Sequence, residues 1–534
     1  MHHTNQPISL YGSLVSQTHY DGSNGHATVL ASPSMSMLCS AARKHIASAI
    51  DFVMQHPGVQ HLQLNLIAAI AMLLLALPLS GHAQQTAEAA SAAKAPERIS
   101  AASITKPQST LPEKSDLLDP PEQFNATVQT TWVVAEHGAF RSPYFGTNSL
   151  MAKHEKAYTW TVTGYLGYRP FANTEIYFDP EMIQSNQFSG LHGLADFNNN
   201  ENQKAGEITP TFYRARLFAR HTWNLGGEKI KLESGANQLA GTVDHDRVVL
   251  TVGNIATPDI FDNNLYAHDA RTQFMNWTFY THIASDFAAD GRGYTWGAAL
   301  EYYNKDWAYR IGQFAQPKDS NGLYLEHSLT RHGATQIEIE HSHGVGGQPG
   351  KVRLFAFRNH ANMGNFDEAL AYQIATGAAT PDVANVRRNQ NKVGAGLNIE
   401  QSLTENIGVF GRFGFNNGKT ETYQFSEADR SVSGGVSIKG ALWGREKDTI
   451  GVAVASTDIS SAHRNYLAAG GLGAFIGDGK LPHYRSEQLF EAYYNLALYS
   501  HASLAADFQH ISNPAYNADR GPVNIFALRL HVDY

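Results

Sequence analysis

Cysteine is almost missing from this chain: Cys39 is the only one in 534 residues. A lone thiol cannot build an internal disulfide framework, and a thiol-free remainder suits an oxidising compartment. A basic excess is missing too. Lysine and arginine number 40 against 48 aspartates and glutamates, a formal net charge of −8, which excludes a nucleic-acid partner held by a basic surface. From Phe124 onward there is no long apolar run, little helical periodicity and no solenoid or propeller repeat. No G-x-S-x-G string occurs, and no spacing assembles a catalytic constellation, so the reading is of a chain that is not an enzyme and needs no cofactor.

The one apolar run, Leu66 to Leu79, has the length of a signal-peptide core and is short for a membrane-spanning helix. Arg43 and Lys44 precede it, and Gly81-His82-Ala83 places a peptidase cut before Gln84. A buried or anchoring helix is the alternative. Residues 1–83 are therefore expected to be a signal peptide with an over-long N-terminal extension, in which Met35, Met37 and Met54 offer later starts. Residues 84–123, rich in Ala, Ser, Pro and charge, read as a flexible periplasmic lead-in.

Residues 124–534 alternate. At the C-terminus Phe526, Leu528, Leu530, Val532 and Tyr534 fall on one face, while Ala527, Arg529, His531 and Asp533 fall on the other. Val432, Val436 and Ile438 against Ser431, Ser433 and Ser437 repeat the rule, as do Trp160, Val162, Leu166 and Tyr168. Aromatic residues such as Trp132, Tyr168, Trp223, Trp443, Tyr499 and Tyr534 end oily faces, as a lipid–water girdle requires. Short turns also alternate with long connections, the latter spanning 135–157, 180–210, 316–332, 361–391, 416–430, 458–487 and 512–523. A soluble sandwich explains neither feature. The expected fold is all-β: a transmembrane, antiparallel, up-and-down barrel of 16 to 18 strands with short periplasmic turns and long extracellular loops. The weakest strand candidates are 229–241 and 273–283.

Particular strings carry a more specific likeness across 124–534. They are Ala139-Phe140-Arg141-Ser142-Pro143-Tyr144, Thr211-Phe212-Tyr213-Arg214-Ala215-Arg216-Leu217, and a central block that includes Phe261-Asp262-Asn263-Asn264, Arg271-Thr272-Gln273-Phe274-Met275-Asn276-Trp277 and Arg292-Gly293-Tyr294-Thr295-Trp296-Gly297. The chain resembles the carbohydrate-selective porins of the OprB type. That resemblance implies a 16-stranded barrel in the bacterial outer membrane through which small carbohydrates diffuse passively, with a preference for sugars. A non-selective general porin, an outer-membrane barrel enzyme and an adhesin stay open as alternatives.

A sugar path needs donors and acceptors for hydroxyls and rings for C–H faces, hence a mixture of Arg, carboxylates and Tyr or Trp. Alternation assigns Arg214, Arg216, Arg220, Arg310, Arg353, Lys392, Arg412, Lys439 and Arg529 to the lumen, opposite Glu175, Glu301, Glu338, Glu340, Asp507 and Asp533. The leading path candidates are Arg214, Arg216, Arg310, Glu301, Arg412 and Arg529; Arg214 and Arg216, two apart, are read as sharing one face. A wall of opposed charges that merely stiffens the barrel is the competing role for each. No metal site is expected. Asp262, Asn263 and Asn264 lack the spacing of a calcium loop and are read as part of a segment that folds into the barrel, and His341 and His343 lack a third zinc ligand at diagnostic spacing. Expected partners are small carbohydrates, outer-membrane lipid and lipopolysaccharide, and the barrel assembly machinery acting on the strand ending at Tyr534. Assembly as a homotrimer is left open.

Overall fold

Successive side chains of a strand point to opposite sides, so an alternating chain can meet lipid with one face and polar surroundings with the other. In hydrocarbon it can do so only as a sheet without edges, because unpaired backbone groups have no water to turn to. The computed structural model describes residues 120–204 and 206–534. The expected signal segment, the alternative starts, Cys39 and the lead-in as far as residue 119 lie outside the described residues.

Sixteen antiparallel strands follow one another around a closed barrel. They are β1 (Phe124–His137), β2 (Glu155–Phe171), β3 (Thr174–Asn186), β4 (Thr211–Leu232), β5 (Gly241–Ile255), β6 (Thr295–Asn304), β7 (Trp307–Ala315) and β8 (Gly333–Val345). The second half comprises β9 (Gln348–Met363), β10 (Arg388–Ser402), β11 (Ile407–Asn416), β12 (Arg430–Lys439), β13 (Thr449–Asp458), β14 (Glu487–Tyr499), β15 (Ala502–Ser512) and β16 (Val523–Asp533). Closure is made by β1 against β16, with Val133 opposite Arg529. Short turns, such as 172–173, 305–306 and 346–347, occupy one rim, and long loops occupy the other. A helix, α1 (Trp277–Tyr280), lies in loop 256–294; α2 (Phe366–Thr376) and α3 (Ser461–Ala468) lie in loops 364–387 and 459–486.

Of the two weakest strand candidates, 273–283 is loop and holds α1, while 229–241 is the tail of β4 followed by a tight turn with a Gly235–Gln238 bridge. Removing both takes the upper estimate of eighteen to the observed sixteen. The last residues before β1 are fastened to that turn: the Glu122 carboxylate accepts from Ala240 N–H at 2.6 Å and from Ser234 Oγ at 2.9 Å.

The two faces separate as the alternation requires. In β16 Phe526, Leu528 and Leu530 are 58%, 52% and 37% exposed, whereas Ala527, Arg529 and His531 are 6%, 1% and 3% exposed. The outer belt at the short-turn rim carries Phe171, Trp307, Trp443, Tyr499 and Tyr534, all exposed. Trp132 stands opposite Trp160 and nearer the long-loop rim.

The inner faces are not an empty polar tube. Loop 256–294 turns into the lumen and brings its own apolar residues. Phe274, Met275 and Phe279 pack with Phe410, Tyr493 and Val133, while Ile260 and Phe261 pack with Phe314, Phe355 and Phe357. Glycines on the inner wall make the room. A Cβ at Gly396 would stand 2.6 Å from the His282 ring, and one at Gly408 would overlap the Tyr266 ring.

The outward position of Leu528 gives a direct test of the face assignment. Leu528→Arg should lower the unfolding free energy by about 2 to 4 kcal/mol if the site is near the bilayer midplane, whereas Leu528→Met should cost less than about 1.5 kcal/mol. Urea titration of vesicle-inserted protein, followed by heat-modifiable migration, reads both. Equal effects would reverse the face assignment of β16.

Candidate functional site

The inward loop is held by polar side chains of the barrel wall, and these include Arg216, Arg412 and Arg529 of the expected path residues. Arg412 on β11 donates to the Asp262 carboxylate at 3.1 Å and to the carbonyls of Ala267 (2.8 Å), Phe279 (2.7 Å) and Asp262 (3.1 Å). Burial alone would raise the Asp262 carboxyl, but Arg412 foremost, then His282, holds it well below the usual carboxylate range. Arg529 donates to the carbonyls of Ala270 (2.8 Å) and Gln273 (2.7 Å). Hydrogen bonds to charged groups contribute about 1.5 to 3 kcal/mol each. Asn398 on β10 and Glu491 on β14 add bonds to Asp262 and to the Met275 and Asn276 N–H groups.

Arg310 and Glu301 also face inward, yet they belong to the wall. Arg310 donates to Glu301 at 2.6 Å and to Glu338 at 2.7 Å, and Arg353 joins Glu340 at 2.7 Å to Glu400 at 3.0 Å. This ladder runs across β6 to β10 and touches the loop where Glu338 accepts from Asp262 N–H at 2.6 Å. Its members are buried and paired with one another, and none of them is on the lining of the polar cavity beside Arg216.

Arg214 and Arg216 do not share a face. Arg216 opposes Asp179 and Arg214 opposes Pro180, so Ala215 is an extra residue and the strand bulges there. One inserted residue shifts the alternation, and the two arginines part. Arg214 lies on the outer surface, its guanidinium 5.1 Å from the ring centre of the exposed Trp296. Arg216 points inward and grips Asp259 through two bonds of 2.6 Å, with Asp179 at 3.3 Å and the Tyr294 ring at 5.3 Å.

Arg216 lines a polar cavity of about 160 Å³ bounded by the inner faces of β1, β2 and β4 and by loops 187–210 and 256–294. Gln129, Tyr165, Asn200, Glu201, Lys204, Asn237, Asp259, His268, Asp269, Arg271, Tyr280, Arg292 and Tyr294 are among the other residues around it. Its charges are mostly paired at the wall. Arg271 reaches Glu181 at 2.9 Å and Glu201 at 3.1 Å, and Lys204 reaches Glu181 at 2.9 Å. Glu181 also accepts from Tyr213 Oη at 2.5 Å and from Tyr294 Oη at 3.1 Å. Among the described residues, the amide oxygens of two lining residues, Asn200 Oδ1 and Asn237 Oδ1, are closed to solvent and have no hydrogen-bond partner.

Glu181, Glu201, Lys204, Arg271, Arg292 and Tyr294 were not among the expected path residues. Arg271 and Arg292-Gly293-Tyr294 stand in the strings that carry the family likeness, which is the signal that reaches them; Glu181 continues the inward phase of Tyr177 and Asp179 on β3, but residues 180–210 were read as a long connection. The metal candidates are otherwise engaged. Asp262 is tied to Arg412, the Asn264 amide donates to Asn398 at 2.7 Å, and His343 contacts Gln401 at 3.1 Å. Among the described residues no three His, Cys, Asp or Glu side chains are placed to share an ion.

A closed barrel of sixteen strands, oily outside and charged within, with a loop folded across its lumen, defines an outer-membrane channel protein of the porin class. Sequence comparison gives the family: residues 174–534 match the carbohydrate-selective porins of the OprB family, and the chain belongs to that family. Among solved structures, OprB of Pseudomonas putida in its high-pH structure matches at 16% identity with a TM-score of 0.58, over 77% of this chain and 94% of that one. The outer-membrane channel DcaP of Acinetobacter baumannii matches at 8% identity with a TM-score of 0.42, over 77% and 97%. No curated protein matches the chain in sequence. The family and the fold define a channel rather than a catalyst.

Proposed function

We propose that this porin lets small carbohydrates diffuse passively into the periplasm, with a preference for sugars, and that the path runs through the cavity beside Arg216. One observation carries the reading: a single lining brings together fixed guanidinium and carboxylate groups and the side chains of Tyr165, Tyr280 and Tyr294. Rings offer flat faces to the C–H side of a pyranose.

The outer surface supports the remaining partners of this reading. The belt of exposed aromatics suits bilayer lipid, and Arg214 with Trp296 and the 80% exposed Phe212 sits on the side where lipopolysaccharide would lie. In the same reading the C-terminal segment, β16 with Tyr534 after it, is the one handled by the barrel assembly machinery. Residues 1–83 are removed on export, which N-terminal sequencing of outer-membrane material tests: the first residue should be Gln84, and a mature protein that retains Leu66 to Leu79 would contradict it.

Liposome swelling with a sugar series tests passage. Influx should fall with solute size, and impermeable vesicles would oppose the channel. Within the cavity, Arg216→Ala should weaken sugar block of single-channel current by about tenfold, because it releases Asp259 and the stretch of loop that lines the cavity, whereas Arg214→Ala should leave it unchanged. Equal effects of the two would move the path elsewhere.

A further inference from the structure

Four cationic side chains line the cavity, and three of them are engaged by carboxylates: Lys204 and Arg271 at Glu181, and Arg216 at Asp259. Arg292 is different. Among the described residues no carboxylate forms an ion pair with it, and its Nε is buried without a hydrogen-bond partner. The guanidinium lies over the Tyr213 ring at 4.8 Å from the centre. Its nearest acidic neighbour in sequence, Asp290, is turned to the backbone, accepting from Arg292 N–H at 2.9 Å and from Tyr294 N–H at 3.1 Å. The ring orients the guanidinium, and the Asp290 turn fixes the stretch of loop that carries it.

We infer that Arg292 is a carboxylate-binding position in the path, and that the channel prefers sugar acids, monosaccharides bearing one carboxylate, over neutral sugars of the same size. The inference rests on the sugar-porin reading given above. A planar guanidinium with free N–H groups matches a carboxylate with two parallel hydrogen bonds. Polar side chains of the same lining, Gln129, Glu201 and Asp269 among them, stand beside it as partners for the hydroxyls of the same molecule. A sugar phosphate fits less well. Its second negative charge would need a second free cation, and Lys204, Arg216 and Arg271 are already neutralised, while Glu201, Asp259 and Asp269 repel it.

Block of single-channel current in planar bilayers, measured with glucose, gluconate and glucose 6-phosphate on the full barrel, tests this. Gluconate should block at a concentration about tenfold below that of glucose, and glucose 6-phosphate should gain no more than gluconate does. Arg292→Gln should reduce the glucose-to-gluconate ratio of block constants to near one, and Arg292→Lys should restore part of it. Raising the salt should shrink the ratio in the parent protein and not in Arg292→Gln. Glucose block without a gluconate advantage, or an advantage that survives Arg292→Gln, would overturn the role of Arg292 and leave the sugar path standing. Absence of block by any of the three, with no sugar influx into liposomes, would overturn both. A larger gain for glucose 6-phosphate than for gluconate would replace the carboxylate with a phosphate as the preferred group.

Discussion

The structure depends on one interaction above the rest: wall side chains of the barrel hydrogen-bond the backbone of loop 256–294 and hold it across the lumen. A loop buried away from water must find partners for every N–H and C=O it carries. Here the partners come from strands far apart around the barrel. Arg412, Arg529 and Asn398 donate to carbonyls, while Glu338, Glu400 and Glu491 accept from N–H groups. Apolar packing of Phe261, Phe274 and Phe279 adds to the hold, and inner-wall glycines allow the approach. With the loop fixed, Asp259, Asp269, Arg271, Arg292 and Tyr294 face strands β1 to β4 and enclose the cavity.

Charge is thereby divided between two tasks. The ladder from Glu301 through Arg310, Glu338, Glu340 and Arg353 to Glu400 is closed upon itself and the loop, and loss of one member would leave a buried charge uncompensated, at about 3 to 5 kcal/mol. The cavity set is arranged otherwise. Arg216 and Arg271 are engaged by carboxylates, whereas among the described residues no carboxylate forms an ion pair with Arg292, whose guanidinium lies over the Tyr213 ring. The ladder ties strands β6 to β10, and the cavity lies against β1, β2 and β4.

Much of the fold was legible in the sequence because lipid imposes a strict period of two. Phe526, Leu528 and Leu530 face out and Arg529 faces in, as the alternation requires. Long connections such as 316–332 fall where the pattern breaks, and the Asp262 segment folds inward as read. Two things were hidden. A bulge at Ala215 leaves no mark in composition, yet it separates Arg214 from Arg216. Alternation also says which way Arg310, Arg412 and Arg529 point but not what they meet, since the course of loop 256–294 is set by contacts with residues over a hundred positions away, as with Asp262 and Arg412. An inward face is therefore not the same as a wet one.

Paired replacement of the loop anchors tests the account most directly. Arg412→Met with Arg529→Met removes both guanidinium clamps on loop 256–294 while keeping side chains of similar length on the wall. Single-channel conductance, recorded beside heat-modifiable migration as a check on the barrel, should rise severalfold and become noisy, with sugar block lost as the cavity opens. A folded double variant with the conductance and sugar block of the parent would contradict the claim that these clamps hold the loop and build the path.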